Sequence, residues 1–391
     1  HRDLHSFPTR RSSDLFALQA TAGIEGEAAG RALRFELGAE GTLEDFVVRG
    51  AARPLAAVAA DDFAGELSAR IAPFAPQPIG EAALKLSGVD PAAWIAGAPH
   101  ADFELQLDLL PVADSSPALQ GRLRAVNRRP GAIDRESLPI ESLAAGLTLA
   151  ADGLRLGDID LRLAGGGRLR GSGALHDSEL SLTLAASAVD AAALHGGLQN
   201  TRLAGPLRAT LGLHRQLVEA DLRDPRFALD TRLAIDPEQL AVERLRLAAG
   251  DARLSASGTV ALAGSGSFAL QGQLREFDPR RFFARLPAAR INAEFSARGS
   301  SRPQLALRLG FQLRDSRFAG EVLAGGGEID LAPGHLRQAD VELRVGTNRL
   351  LAKGAFGAPG ERLRLSIAAP RLDPLGPGGD LAGEVVVGGS M

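Results

Sequence analysis

The side chains that could carry chemistry are few in kind. Seven histidines occur (His1, His5, His100, His176, His195, His214 and His335) and cysteine is absent. A metalloprotease-type centre needs two histidines one helical turn apart so that both rings meet one ion. His1 and His5 have that spacing but fall in the N-terminal leader, and the other five form no His-x-x-x-His pair. Scattered singly, these histidines read as surface or turn residues. Without cysteine there is no disulfide, no thiolate metal site and no sulfur nucleophile. Carboxylates do acid–base work when the fold holds two of them together. Asp61 and Asp62 are adjacent, but neighbours on a strand point to opposite faces, so this pair reads as a solvated turn. Asp90, Asp190 and Asp278 could be proposed as acids, yet each opens a helix-like segment and helix capping accounts for it better. No Gly-x-Ser-x-Gly elbow, phosphate loop or Gly-x-Gly-x-x-Gly occurs. Asn127, Asn200, Asn292 and Asn348 lie outside any glycosylation sequon. The expectation is a non-enzymatic protein with no catalytic residue, no metal and no cofactor.

Composition narrows the partners. Lys and Arg number 44 against 47 Asp and Glu, and only Lys85 and Lys353 are lysine. A chain so near neutral, with no block of like charge, lacks the electrostatic footprint of a nucleic-acid binder. No stretch approaches the ~20 apolar residues of a spanning helix. Aromatics are few, with Trp94 the one tryptophan and no tyrosine, which speaks against the aromatic girdles of an outer-membrane barrel. Residues 5–15, His-Ser-Phe-Pro-Thr-Arg-Arg-Ser-Ser-Asp-Leu, resemble a translated sequencing-library adapter. Residues 1–15 are therefore expected to be an artefact, disordered and apart from the fold, and the chain to be an internal fragment of a longer protein.

What must position any site is a set of strands. Leu305, Leu307, Leu309, Phe311 and Leu313 alternate with Ala306, Arg308, Gly310 and Gln312. Ile159, Leu161 and Leu163 alternate with charged residues, and Phe103, Leu105, Leu107 and Leu109 do the same. Further runs are Leu180, Leu182, Leu184; Val341, Leu343, Val345; and Leu363, Leu365, Ile367. Period 2 is the mark of a half-buried strand. Gly165–Gly167, Gly171–Gly173, Gly264–Gly266 and Gly325–Gly327 read as tight hairpin turns, since glycine reaches positive φ without steric cost. Strands joined so closely must be antiparallel neighbours. Val89-Asp90-Pro91, Val189-Asp190-Ala191 and Phe277-Asp278-Pro279 repeat one pattern, with strand runs resuming at Phe103, Leu207 and Ile291. Approximate repeat units of 16–100, 101–200, 201–290 and 291–391 follow. The fold class expected is all-β: one elongated, curled antiparallel sheet of about 25 strands, taco- or groove-like, with a few short helices.

Helical stretches are too few to cover so many strands, so the apolar face must curl on itself or hold something apolar. Leu161, Leu163, Leu180, Leu182, Leu184, Leu245, Leu247, Leu305, Leu307, Leu309, Leu313, Val341, Leu343, Val345, Leu363, Leu365 and Ile367 should share one concave surface.

Asp315-Ser316-Arg317-Phe318-Ala319-Gly320, then Gly325–Gly327, then the run from Gly346-Thr347-Asn348-Arg349 to Ala355-Phe356-Gly357 resembles the TamB family. That family supplies the inner-membrane subunit of the bacterial translocation and assembly module and belongs to the AsmA-like superfamily. The likeness is best over about residues 150–391. It implies a long periplasmic β-sheet with a greasy interior, held to the inner membrane by a segment absent from this chain. It also implies an outer-membrane barrel partner engaged through a region missing here, and phospholipid acyl chains as cargo. Three functional classes follow: a lipid conduit supporting outer-membrane biogenesis, a scaffold receiving unfolded barrel strands by β-augmentation, and a β-solenoid adhesin. The third would need shorter, stricter repeats than these.

Overall fold

In a computed structural model, the described residues are 17–28, 31–55, 63–93, 98–112, 118–150, 153–281, 289–372 and 378–389. The first fifteen residues and Trp94 lie outside them. Strand makes up 72% of the chain and helix 4%, so the all-β expectation holds. The chain divides into two units, residues 1–177 with 193–196, and 178–192 with 197–391.

The first unit is a meander of ten strands: β1 (Ala17–Ala28), β2 (Arg31–Thr42), β3 (Asp45–Pro54), β4 (Ala64–Ile71), β5 (Ile79–Val89), β6 (Phe103–Pro111), β7 (Ala118–Asn127), β8 (Ile140–Ala150), β9 (Gly153–Leu163) and β10 (Arg168–His176). The second has fourteen: β11 (Glu179–Val189), β12 (Leu203–Leu211), β13 (Gln216–Arg223), β14 (Ala228–Ile235), β15 (Gln239–Ala249), β16 (Ala252–Ala261), β17 (Ser267–Phe277), β18 (Ala289–Ser300), β19 (Ala306–Phe318), β20 (Glu321–Ala332), β21 (His335–Val345), β22 (Asn348–Phe356), β23 (Arg362–Ala369) and β24 (Leu381–Gly388). Within each unit every strand pairs antiparallel with its chain neighbours, and substantial contacts between elements are confined to such neighbours. Among the described residues neither set of strands is covered by a second layer of the same unit.

The three Asp motifs are built alike. Each is followed by a short helix, Pro91–Ala93, α1 (Ala191–Leu194) or Pro279–Arg281. Each carboxylate accepts at Oδ1 from the amide two residues on: Ala92 at 3.1 Å, Ala192 at 3.1 Å and Arg280 at 3.1 Å. The same oxygen also accepts from the amide eleven residues on: Ala101 at 3.0 Å, Thr201 at 2.9 Å and Ala289 at 3.3 Å. Two residues before each Asp the backbone is left-handed, at Gly88 (φ 63), Ala188 (φ 52) and Glu276 (φ 48), where the strand bulges. One carboxylate thus caps the helix and ties the returning strand, so the capping role read from sequence is half of its work.

Two of the glycine runs are not turns. Gly171–Gly173 lies within β10 at a bulge, and Gly325–Gly327 lies within β20. There glycine answers to close approach. A Cβ on Gly325 would come within 2.0 Å of the Glu342 carbonyl oxygen, and one on Gly327 within 2.4 Å of that of Asp340. Gly165–Gly167 and Gly264–Gly266 do fall at chain reversals.

Candidate functional site

Residues paired across an antiparallel ladder share a face, so register decides which side chains meet. In the second unit one row crosses all fourteen strands. It runs Leu182, Ala209, Val218, Leu233, Val242, Gly258, Leu270, Ala297, Leu309, Ile329, Ala339, Gly354, Leu363 and Val387. Every member is aliphatic or glycine. The next row joins Leu184, Leu207, Ala220, Thr231, Leu245, Ala256, Gly272, Phe295, Phe311, Gly327, Val341, Ala352, Leu365 and Val385, with one threonine and no charge. Leu247, Leu313, Leu343 and Ile367 stand in a third row, and Leu180 and Leu307 on the far side of the first. Val345 pairs with Leu323 on this face.

The first unit follows the same rule. Ile24, Phe35, Ala52, Gly65, Leu86, Leu105, Ala125, Leu143, Leu161 and Leu169 form a row through all ten strands. Leu163 pairs with Ile140 in line with Leu161. Leu163, Leu184 and Val341 are buried and most of the other expected residues half-buried. Leu305 departs from the expectation: β19 begins at Ala306, and Leu305 lies ahead of it, 49% exposed. Alternation read one residue too far, because period 2 continues through an unpaired residue that meets no ladder.

The opposite face carries the charge. Arg244 meets Asp230 at 2.5 Å, Arg308 meets Asp330 at 2.6 Å, and Arg344 meets Glu342 at 2.6 Å. Arg364 lies 3.0 Å from Glu384, across the last ladder. The surface hollows also lie over this face. One of about 960 Å³ in the second unit is bounded by Arg246, Gln271, Gln273, Glu294, Gln312 and Glu328. Another of about 760 Å³ in the first is bounded by Glu36, Arg49, Glu66, Ser68 and Lys85. A twisted sheet is saddle-shaped, concave along one diagonal on either side. Of the expected groove residues, Leu245 lines the first of these hollows and Leu247 a further one in the second unit.

No family model matches the chain, and neither a curated protein nor a solved structure does.

Two histidines meet carboxylates. His100 Nδ1 lies 2.8 Å from Asp90 Oδ2, and His335 Nε2 lies 2.9 Å from both oxygens of Glu361. Burial works against ionised Asp90, but the His100 contact and the Ala101 and Ala92 amides outweigh it and hold the carboxyl below its ordinary value. The hydrogen bond from His335 leads the causes that lower Glu361, which also accepts from the Ala358 amide at 2.9 Å. Both pairs fasten loops. Among the described residues no group of three or more His, Asp or Glu is placed to hold a metal ion, and no helix is long and apolar enough to cross a membrane.

Sequence reasoning missed Leu233, Leu254, Leu270, Leu274, Phe295 and Leu350, all on the apolar face. Glycine, alanine or threonine occupies alternate positions beside them, which breaks the visible alternation. Phe295 shows why: a Cβ on Gly272 would sit 2.7 Å from its ring, so that the ring covers the glycine of the neighbouring strand. The signal was a gap in one strand matched by a large residue in the next, and only register reveals it.

Proposed function

We propose that the chain is a segment of a lipid conduit, and that its apolar face carries phospholipid acyl chains along the succession of strands. The observation that supports this reading best is the uncharged row crossing all fourteen strands of the second unit, from Leu182 to Val387. An apolar face that interdigitates with no second layer of the chain leaves its leucines to meet a partner. A hydrocarbon chain suits such a row because it asks for continuity and not for any one contact. At ~25 cal/mol per Å², covering ~300 Å² of acyl chain is worth ~7.5 kcal/mol. That offsets much of the cost of leaving a bilayer, where the chain was already dry, and leaves a small net affinity, as transit requires.

The resemblance to the TamB family is in keeping with this reading and implies a periplasmic protein tethered to the inner membrane, acting in support of outer-membrane biogenesis. The test is photo-crosslinking in an intact envelope from Leu182 and Leu307, compared with Ser181 and Arg308 on the charged face. Lipid capture from the first pair alone is the expected outcome. Equal capture from both faces, or from neither, would leave the scaffold reading instead. Leu307→Arg should stop lipid beyond that strand, because an unpaired charge within an apolar face is costly; a single Leu→Ala should change transit little.

A further inference from the structure

In the second unit the loops that follow odd-numbered strands share one rim with the Asp190 and Asp278 motifs. Every one of those loops carries an arginine in the turn or within two residues of it: Arg202, Arg226, Arg253, Arg280, Arg317 and Arg349, with Arg371 after β23. Two strands separate one loop from the next, so the arginines recur about every 10 Å along the rim. By the same measure the opposite rim has arginine at three of its six loops, Arg215, Arg302 and Arg362, and carries Asp236, Glu238 and Glu361.

Six of the seven guanidinium groups on the arginine rim have no carboxylate partner among the described residues; Arg349, 3.1 Å from Glu342, is the exception. Arg226 donates to the Asn200 carbonyl of the preceding loop on this rim, and Arg253 and Arg317 donate to the carbonyls of Ala252 and Gly320 beside their own turns. Arg202, Arg280 and Arg371 are fixed through the backbone. Their amides donate to Asp224 Oδ2 at 3.0 Å, Asp278 Oδ1 at 3.1 Å and Asn348 Oδ1 at 3.1 Å, and the Arg371 carbonyl accepts from Asn348 Nδ2 at 2.7 Å. Three acids of these loops are turned inward: Asp224 Oδ1 accepts from the amides of Arg226 and Phe227 at 2.7 and 2.8 Å, and Asp190 and Asp278 are engaged as described. Asp251 and Asp380 are exposed. Three of the arginines directly precede a residue in line with the apolar face, as Arg202-Leu203, Arg226-Phe227 and Arg253-Leu254. Cation and hydrocarbon therefore alternate along one margin. That is the complement of an amphiphile bearing a phosphate, which a guanidinium meets with paired N–H donors.

We propose that this rim is a rail for phosphate headgroups, holding phospholipids whose acyl chains lie on the adjoining apolar face; the inference rests on the conduit reading. The test uses the full chain with two photoreactive lipids of identical acyl chains, dioleoyl phosphatidylglycerol and dioleoylglycerol. The variant is R202Q/R280Q/R371Q, whose guanidinium groups hold nothing in the fold. The intact chain should capture the phosphate lipid preferentially. Each lipid meets one or two rim arginines, at about fivefold each, so the variant should lose about five- to 25-fold of that preference. Its dioleoylglycerol capture and melting temperature should stay unchanged. Undiminished preference in the variant overturns the rail while leaving the conduit standing. Equal displacement of both lipids by free glycerol phosphate also overturns it. Capture of neither lipid by the intact chain overturns the conduit itself.

Discussion

At the loop margin of the first unit, three arginines end on acids. Arg128 clasps Asp102 through Nε at 3.1 Å and Nη2 at 2.9 Å, Arg129 lies 3.7 Å from the same carboxylate, and Arg168 is paired with Asp160. Asp102 is only 6% exposed, so this margin is closed by a built-in counter-charge. At the corresponding margin of the second unit three acids accept from backbone amides and the guanidinium groups are left outward. Both units follow one rule across the sheet, leucine on one face and ion pairs on the other. Where they part is in what the aspartates bind. A carboxylate given to an arginine neutralises the edge; one given to a loop amide holds the loop and leaves the edge cationic. The comparison teaches that edge chemistry in such a sheet is set by loop hydrogen bonding, independently of the face.

The comparison can be broken most sharply at Asp102. Replacing it with Ala leaves the half-exposed Arg128 to Glu104, 3.3 Å away, and should cost about 2–3 kcal/mol through the lost charged hydrogen bonds, read as a fall in denaturant midpoint. It should also give the first unit a phosphate-lipid preference that it otherwise lacks. An unaltered midpoint would mean that the ion pair does not close that margin.

Next in size is Asp190→Ala. It removes an acceptor shared by the Ala192 and Thr201 amides and should cost about 1–2 kcal/mol, as for other lost helix caps. Arginine capture of lipid should survive it. If instead the rim preference collapsed with no change in stability, Asp190 would be acting on lipid and not on the loop.

The smallest effect is acid sensitivity. In the first unit Asp90 is held below its ordinary value despite burial; in the second, burial likewise opposes ionised Asp224, and the Arg202, Arg226 and Phe227 amides outweigh it. A carboxyl with a depressed folded-state value stabilises above its unfolded value, ~4, and loses that contribution as pH falls through the folded one. Melting temperature should therefore decline only below about pH 4, and less steeply in Asp224→Asn. A decline beginning near neutrality would point to other groups.

How far the sequence could be read follows from what each signal depends on. Alternation is local, so runs such as Leu180-Leu182-Leu184 and Leu363-Leu365-Ile367 declared strand and face at once. The Asp90, Asp190 and Asp278 segments were legible for the same reason, since capping is decided within three residues. Positions 254, 270 and 274 were not legible, because their place on the apolar face depends on pairing with residues of other strands. Gly325–Gly327 misled because glycine serves turns and close-packed strand centres alike. The arginine rim was invisible, since nothing local says which loops fall on the same side.

Pairing confined to chain neighbours has a consequence for how such a sheet changes length. Removing one strand from the middle of the second unit would reverse the direction of all that follow and carry their loops to the opposite edge. Removing two restores direction and rim together. Growth and shortening should therefore proceed by whole hairpins, about 10 Å at a time. Each added hairpin contacts only its neighbours, so stability grows nearly in proportion and folding can advance along the chain as it emerges. The span of such a sheet can then be adjusted like a ruler cut at fixed graduations.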